Sequence, residues 1–310
     1  MRVVMSGSTG LIGTAVAREL EAAGHTVVRL VRRRPAGPHE VGWDPQRSGL
    51  DAAALRGAGG VIHLAGEPIA EGRWTRERKR RILESRSLGT RAIATAIAAA
   101  PEPRPVLVSA SAIGYYGDRG DAVLDEHSPP GVDFLAAVCR EWEGATAPAA
   151  DAGARVVITR FGVVLSRAGG ALARMLPFFR AGLGGRVADG GQWMSCVSLD
   201  DVSGAVCHLL GSASAAGPVN VVCPEPVTNA EFTRRLARLL RRPALLPVPR
   251  LALRLAFGEL ADATLLASQR IVPAALPASG YRFRHTTVEA ALAAALAATP
   301  APAPRPSRAD

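Results

Sequence analysis

Cysteine pairs, long apolar runs and targeting signals are all missing from this 310-residue chain. Its four cysteines lie far apart and form no Cys-x-x-Cys pair, so we expect reduced thiols and no metal site. No apolar run reaches about eighteen residues without a charge, so we expect no membrane span. The N-terminus begins in a strand pattern and lacks the features of a signal peptide. We therefore expect a cytoplasmic location.

Acidic and aromatic residues are also few. Asp and Glu number 27 against 37 Lys and Arg, which gives a formal charge of +10. Arginines cluster at residues 73–81 and 234–242, a pattern that would suit nucleic acid. However, aromatic residues make up only 5% of the chain, and no nucleic-acid module is recognisable. We interpret the arginines as solvated helix faces and anion-binding groups, and expect no nucleic-acid partner and no membrane partner.

A glycine string organises the first residues. The short apolar run from Val3 to Met5 predicts a buried strand, and Gly7, Gly10 and Gly13 follow before a helical apolar pattern. Strand, glycine turn and helix are the context in which such a string indicates a dinucleotide. One glycine allows the tight turn, one lets amides approach a pyrophosphate, and one lets the helix pack against the strand. The helix N-terminus adds unpaired donors and partial positive charge.

The end of the second predicted strand indicates which dinucleotide binds. A free ribose 2′-hydroxyl is usually met there by Asp or Glu, roughly twenty residues past the glycines. This chain has Arg32, Arg33 and Arg34 instead. Because a guanidinium is a planar fork suited to phosphate, the sequence favours NADP over NAD.

Strands and helices alternate over most of the chain, which predicts a parallel sheet. We predict strands at 26–31, 59–66, 105–111, 155–160 and 218–222, and helices at 51–55, 75–100, 133–150, 172–179, 198–210, 228–240 and 251–267. The expected fold class is α/β, a Rossmann-type doubly wound parallel sheet with a smaller, mostly helical C-terminal substrate domain. We assign 1–165 and about 188–223 to the NADP-binding domain, about 166–187 and 224–297 to the small domain, and 298–310 to a disordered tail.

Two predicted strands end in residues suited to a site, because ligands bind at the carboxyl ends of strands in open α/β sheets. His63 precedes a small-residue turn, and we interpret it as a packed side chain rather than a catalyst. Ser111 ends a later strand and is followed by Tyr115 and Tyr116. A serine hydroxyl can hold a substrate oxygen, and a tyrosine can move a proton if its pKa is lowered.

Motifs along the chain are typical of one protein family. They include Gly7-Ser-Thr-Gly-Leu-Ile-Gly13, His63-Leu-Ala-Gly-Glu67, Glu84-Ser-Arg86, Ala110-Ser-Ala-Ile-Gly-Tyr-Tyr-Gly117, Trp142-Glu143, Thr228-Asn-Ala-Glu-Phe232 and Gln269-Arg-Ile-Val-Pro273. From residue 2 to about 296 the chain resembles an atypical extended short-chain dehydrogenase/reductase of the "epimerase family", sugar-nucleotide epimerase-like proteins with their own C-terminal domain. The resemblance implies NADP(H) as cofactor and an unknown small-molecule substrate. Homodimers are common in the superfamily, and a homodimer is left open here.

The glycine motif and the resemblance together predict a cofactor-binding set. Its members are Gly7, Ser8, Thr9, Gly10, Leu11, Ile12, Gly13, Arg32, Arg33, His63, Leu64, Ala65, Gly66, Glu67, Arg86, Ser109, Ala110, Phe161, Gly162 and Val163.

The chain departs from the wider superfamily at the catalytic pair. Active members resemble one another in a Tyr-x-x-x-Lys pair, whose lysine lowers the pKa of the tyrosine. The matching positions here are Leu135 and Cys139, and a neutral thiol supplies no positive charge. Arg86 stands where the family has a supporting asparagine. Similar proteins also have Trp and His at the positions of Cys196 and Ser198.

Two functions follow from these residues. The first is an NADP-dependent oxidoreductase or epimerase-like enzyme with four catalytic candidates: Ser111, Tyr115, Tyr116 and Cys139. In this hypothesis Ser111 polarises a substrate oxygen and a tyrosine donates the proton, while Cys139 is more typical of a buried filler. The second is a catalytically silent NADP(H)-binding sensor of redox state, which the loss of the Tyr/Lys pair favours.

Overall fold

The computed structural model describes residues 1–47 and 49–298. Its strands are β1 (Arg2–Ser6), β2 (Thr26–Val31), β3 (Glu40–Gly42), β4 (Ala58–His63), β5 (Val106–Ala112), β6 (Val123–Leu124), β7 (Val156–Phe161), β8 (Val163–Leu165), β9 (Trp193–Met194), β10 (Cys196–Ser198), β11 (Gly217–Val221), β12 (Val227–Thr228) and β13 (Arg270–Ile271). Its helices are α1 (Leu11–Ala22), α2 (Arg76–Ala98), α3 (Phe134–Gly144), α4 (Ala147–Asp151), α5 (Gly170–Arg180), α6 (Leu199–Gly211), α7 (Asn229–Leu240), α8 (Arg250–Phe257), α9 (Ala275–Ala278) and α10 (Val288–Ala297).

Seven parallel strands form the central sheet, in the order β11-β7-β5-β4-β1-β2-β3. Side chains alternate between its two faces, as the two-residue period of a strand requires. Met5 and Val108 belong to the core that includes residues of α1 and α6, whereas Val4 and Leu107 pack with residues of α2. The strand order reverses between β1 and β4, which is where a doubly wound sheet opens a crevice for a ligand. The predicted Rossmann-type fold is confirmed.

A second apolar core lies beside the sheet. It is built from the short strands β8, β10 and β12 and from three helices, with Leu165, Leu176, Phe232, Leu236 and Leu292 among its buried members. Most of its members come from the predicted small domain. Leu165 and Cys196 also join it, so strands that we assigned to the first domain contribute to the second core.

Residues near the C-terminus return to the first core. Leu276 of α9 is buried there beside residues of β11, although its position lies within the predicted small domain.

Asp201, fully buried on α6, fixes the segment at residues 281–285. Its carboxylate accepts hydrogen bonds from the Tyr281 hydroxyl at 3.0 Å, the Arg284 amide at 2.7 Å and the His285 amide at 3.0 Å. The Ser198 hydroxyl donates to the same carboxylate at 2.7 Å.

Several predicted boundaries are wrong for local reasons. The helix predicted at 133–150 is two helices, because Pro148 lacks an amide hydrogen and fits only the first turn of α4. The helix predicted at 251–267 stops at Phe257, where Gly258 takes a positive φ of 61°. Helix α6 begins at Leu199, one residue after the predicted start, because Ser198 is its N-cap. Apart from Ala298, the predicted tail lies outside the described residues.

Candidate dinucleotide and substrate site

The turn between β1 and α1 has no room for side chains at two glycines. A Cβ atom on Gly13 would lie 2.0 Å from the Gly7 carbonyl oxygen, and one on Gly7 would lie 2.7 Å from the Ala65 amide nitrogen. Gly7 also has a positive φ of 69°. Glycine is therefore required at both positions, for close packing at Gly13 and for conformation at Gly7.

The same turn leaves donors for an anion. The N-cap of α1 is Gly10, which has no side chain to accept from the first amides of the helix. Thr9 and Gly10 are exposed, Leu11 and Ile12 are half-buried, and Ser8 is buried. An exposed helix N-terminus with unpaired amides beside a side-chain-free turn fits a pyrophosphate. These residues therefore fit the phosphate end of a dinucleotide.

The arginines after β2 differ from one another. Arg33 donates to both carboxylate oxygens of Glu40, at 2.8 and 2.5 Å, and this hydrogen bonding lowers the pKa of Glu40. Arg32 is exposed and makes no side-chain hydrogen bond or ion pair with any residue that the structure describes. Arg32, like the exposed Arg34, can therefore receive a 2′-phosphate without breaking an existing pair among the described residues.

His63 ends β4 with a fully buried side chain. Its Nδ1 lies 2.6 Å from the Ser6 hydroxyl, while Nε2 has no partner among the described residues. Burial and the charge of Arg86 lower the pKa of His63 to about 4, so the ring is neutral at physiological pH. A neutral ring sealed from solvent serves packing, and it leaves only the backbone at this position for a cofactor.

Arg86 brings a positive charge to the end of β4. Its Nη1 atom donates to the Glu67 carbonyl at 3.0 Å and the Ile82 carbonyl at 3.1 Å. A Cβ atom on Gly66 would lie 3.3 Å from the Arg86 guanidinium carbon, which itself lies 5.0 Å from the Trp142 ring centre. Burial lowers the pKa of Arg86, but an arginine remains charged in proteins. The structure thus brings Arg86 against the Leu64–Glu67 turn.

The remaining cofactor candidates lie at the ends of β5, β7 and β8. Ser109, Ala110 and Phe161 are buried, and Val163 is half-buried. A Cβ atom on Gly162 would lie 2.5 Å from the Ser195 carbonyl oxygen, so glycine is needed for this close approach. A cofactor role for these five positions, counting Gly162, stays a prediction.

A buried polar network contains two of the four catalytic candidates, Ser111 and Tyr116. The carboxylate of Glu143 on α3 receives two bonds of 2.8 Å from Arg160, an arginine only 3% exposed at the end of β7. The Ser111 hydroxyl donates to the same carboxylate at 2.6 Å. Arg160 also donates to the Tyr116 hydroxyl at 2.9 Å, which donates to Asn220 at 2.7 Å.

This network engages the hydroxyl of Ser111, whose catalytic role stays a prediction. We expected its hydroxyl to polarise a substrate oxygen, which requires it to donate a proton. That single proton is given to Glu143, and the serine is only 2% exposed, so it has only acceptor capacity left. Tyr116 is fully buried, and burial raises its pKa to about 12 despite the lowering effect of Arg160. Full burial and a raised pKa favour a packing role for Tyr116.

Tyr115 differs from its neighbour. It is half-buried, and its hydroxyl has no hydrogen bond to the described residues. The Arg160 guanidinium carbon lies 3.5 Å from the Tyr115 ring centre, and the Tyr116 ring meets it edge-on with centres 5.3 Å apart. The ring is therefore held firmly while its hydroxyl stays available. Among the four candidates, Tyr115 alone combines partial exposure with a hydroxyl that has no hydrogen bond to the described chain.

Cys139 occupies the position of the missing lysine and is buried beside Gly114 and Leu135. Its thiol lies 3.6 Å from the Ala112 carbonyl oxygen, to which it donates. Burial, followed by the charge of Glu143, raises the pKa of Cys139 to about 12. The side chain is a neutral thiol at physiological pH. Its buried environment therefore favours a packing role over a role as a nucleophile.

Sequence reasoning named Glu143 only within a motif and did not single out Arg160. One signal was available, because a charged residue within an otherwise apolar strand needs a buried partner. The partner could not be identified, since it lies on a helix 17 positions earlier in the chain. The substituted positions Cys196 and Ser198 have structural roles here: Cys196 is a fully buried member of the second core, and Ser198 caps α6.

A doubly wound parallel sheet, a glycine turn without side chains and a helix N-terminus with unpaired amides define a dinucleotide-binding α/β protein. The sequence profile of the NAD dependent epimerase/dehydratase family matches residues 3–223, and a domain of unknown function (DUF1731) matches residues 248–295. The chain belongs to the NAD dependent epimerase/dehydratase family.

Known relatives match nearly the whole chain. An epimerase family protein of Mycobacterium bovis is 46% identical over 94% of this chain and 96% of its own length. The structure of human epimerase family protein SDR39U1 (isoform 2), solved with NADPH, aligns with a TM-score of 0.88 at 35% identity, covering 96% of this chain and all of the human chain. A nucleoside-diphosphate sugar epimerase of Corynebacterium glutamicum aligns with a TM-score of 0.77 at 39% identity; the alignment covers 96% of this chain but 58% of that longer one. The predicted resemblance is confirmed.

We expect Glu143→Ala to destabilise the protein by about 3–5 kcal/mol, because it leaves the buried Arg160 charge without its partner. Urea unfolding measures the change. The control is Glu84→Ala, which removes a largely exposed pair with Arg80 and should cost less than about 1 kcal/mol. Equal costs for the two variants would contradict a buried charge pair.

The buried His63 predicts a loss of stability in acid. Its folded pKa of about 4 lies below its ordinary value of 6.5, so between these values the unfolded chain binds a proton that the folded chain does not. The free energy of unfolding should therefore fall as pH drops from 6.5 towards 4, by on the order of 3 kcal/mol. In urea unfolding, the His63→Gln variant should lose this part of the pH dependence of its free energy of unfolding. The control variant His39→Gln, at an exposed histidine, should keep it. A His63→Gln slope equal to that of the parent would refute the assignment.

Proposed function

We propose that this protein binds NADP(H) and uses it as an oxidoreductase or epimerase-like enzyme on a small molecule. The binding of NADP(H) is supported above all by the arginines after β2. Arg33 is paired with Glu40, whereas Arg32 has no partner among the described residues and is available for a 2′-phosphate. The N-terminus of α1 and its glycine turn would hold the pyrophosphate. The NADPH in the structure of human SDR39U1 supports the same choice of cofactor.

The bound cofactor would supply hydride transfer, and this chain must supply the proton. Leu135 and Cys139 provide neither an acid nor a cation, because one is apolar and the other is a neutral buried thiol. Tyr115 remains, with an available hydroxyl and a ring fixed by the Arg160 guanidinium. We assign proton transfer to Tyr115 and assign Arg86 the positive charge at the same edge of the sheet. The four free cysteines support the expectation of a cytoplasmic location.

A catalytically silent NADP(H) sensor is the second candidate. The observation that favours it is the engagement of Ser111 and Tyr116 in the buried network, which leaves neither hydroxyl proton free for a substrate. In that case the bound cofactor would complete part of the protein surface, and a protein partner would bind only the surface completed in this way.

NADPH binding, followed by fluorescence, tests the cofactor half. We expect Arg32→Gln to weaken NADPH binding by about ten- to a hundredfold, because a charge-assisted contact to the 2′-phosphate is lost, and to leave NADH binding unchanged. Arg33→Gln is the matched control and should change the preference far less, because Glu40 already holds that guanidinium. An equal loss of NADPH and NADH in Arg32→Gln would refute recognition of the 2′-phosphate.

Anaerobic turnover of NADPH with a panel of aldehydes, ketones and quinones separates the two candidates. We expect a consumed acceptor, and at least about a hundredfold loss of turnover in Tyr115→Phe with NADPH affinity unchanged. Phe keeps the ring over Arg160, so the fold should survive. Tight NADPH binding without turnover across the panel would favour the sensor, and full activity in Tyr115→Phe would reject Tyr115 as the acid.

A further inference from the structure

The surface of the small domain carries large apolar side chains that the protein itself does not cover. Six of them are exposed by 59% to 85% of their area: Phe178, Leu183, Leu245, Leu246, Leu251 and Leu255. We call this set the apolar patch. Single exposed leucines are common on soluble proteins, but a connected group of this kind marks an interaction surface.

Four members of the apolar patch, Phe178, Leu183, Leu245 and Leu246, lie on backbone segments that contact one another. Segment 182–188 runs beside segment 243–248, with the Val248 amide donating to the Arg186 carbonyl at 2.8 Å and the Ala188 amide donating to the Val248 carbonyl at 2.9 Å. Leu183 is tied to Phe178 by a backbone bond of 2.9 Å. A Cβ atom on Gly185 would lie 1.6 Å from the Leu246 carbonyl oxygen, so the two segments touch.

Helix α8 continues this surface and is fixed with apolar residues outward. Leu251 and Leu255 are four residues apart and thus share one helix face, and both are exposed, whereas Leu253 is buried. Arg73 donates to the Leu255 carbonyl, and Lys79 pairs with Glu259 just after the helix. These contacts hold α8 on the body of the protein, so the exposure of Leu251 and Leu255 is not the result of a loose helix.

The patch is bordered by positive charge. Arg180, Arg186, Arg241 and Arg242 are exposed and form no ion pair with residues in the described ranges. Arg250 and Arg254 on α8 do have acidic partners, Asp189 at 3.8 Å and Asp262 at 2.9 Å. The border therefore keeps a surplus of four guanidinium groups beside exposed leucines.

The combination of exposed leucines and unpaired arginines distinguishes between two partners for the patch, a second copy of the chain and a lipid surface. A second copy of the chain would double this surplus of positive charge within one contact, which is unfavourable. Leucines bordered by arginines suit an anionic lipid surface, where the apolar groups enter the headgroup region and the guanidinium groups meet phosphates. We propose that the apolar patch docks the protein onto an anionic membrane surface. Our expectation of no membrane partner rested on the lack of a spanning run, which says nothing of a peripheral contact.

Vesicle flotation of the full chain tests this proposal, with phosphatidylcholine vesicles compared with vesicles that contain about one-third phosphatidylglycerol. We expect binding to the anionic vesicles alone, falling as salt is raised. Leu251→Gln with Leu255→Gln should weaken binding by at least about tenfold, and Arg241→Gln with Arg242→Gln by a similar factor. The control is Leu88→Gln with Arg91→Gln, which removes one leucine and one arginine from α2 outside the patch and should bind as the parent does.

Circular dichroism during heating checks that each variant is folded, and all these residues except the partly exposed Leu88 are well exposed, so folding should be kept. Equal binding to neutral and anionic vesicles, or no binding to either, would overturn the proposal. So would unchanged binding in both patch variants. Retention on immobilised polyglutamate without vesicle binding would assign the patch to an acidic protein instead. A dimer in sedimentation that Leu251→Gln with Leu255→Gln dissociates would assign it to a second copy.

Discussion

The Gly7 carbonyl oxygen lies so close to Gly13 that no side chain fits between them, and this contact sets how α1 meets β1. With the helix held directly over the strand end, its first amides project from the edge of the sheet where β4 and β5 also end. Leu11, the first residue of the helix, then packs against Gly169 at the start of α5. The glycine turn thus positions both the anion-binding amides and the contact between the sheet and the second core.

A second constraint comes from charge. A buried arginine at the end of β7 requires an acidic partner, which here is Glu143. Glu143 also accepts the hydroxyl proton of Ser111, and Arg160 contacts both tyrosines. The hydroxyls of Ser111 and Tyr116 are therefore committed to this buried ion pair and its neighbours, while Tyr115 keeps a hydroxyl that has no hydrogen bond to the described residues.

The sequence predicted the parallel sheet and its strands closely, because buried parallel strands are continuous apolar runs ended by glycine and polar residues. It failed where the cause is tertiary. The short strands β8 and β10 are three residues each and exist only because they pair with one another, and the alanine-rich α10 depends on packing in the second core. At the site, Arg32 and Arg33 looked equivalent until the ion pair with Glu40 separated them. The bond from Ser111 to Glu143 joins residues 32 positions apart, and no local pattern indicates it.

The buried carboxylate of Asp201 links the C-terminal segment to the stability of the dinucleotide-binding domain. Three of its donors come from Tyr281, Arg284 and His285, inside the range matched by the domain of unknown function. A chain that ended before residue 248 would leave this carboxylate short of those donors and would also strip Leu276 from the main core. The two matched regions therefore share a buried carboxylate and part of one apolar core, and we expect them to unfold together.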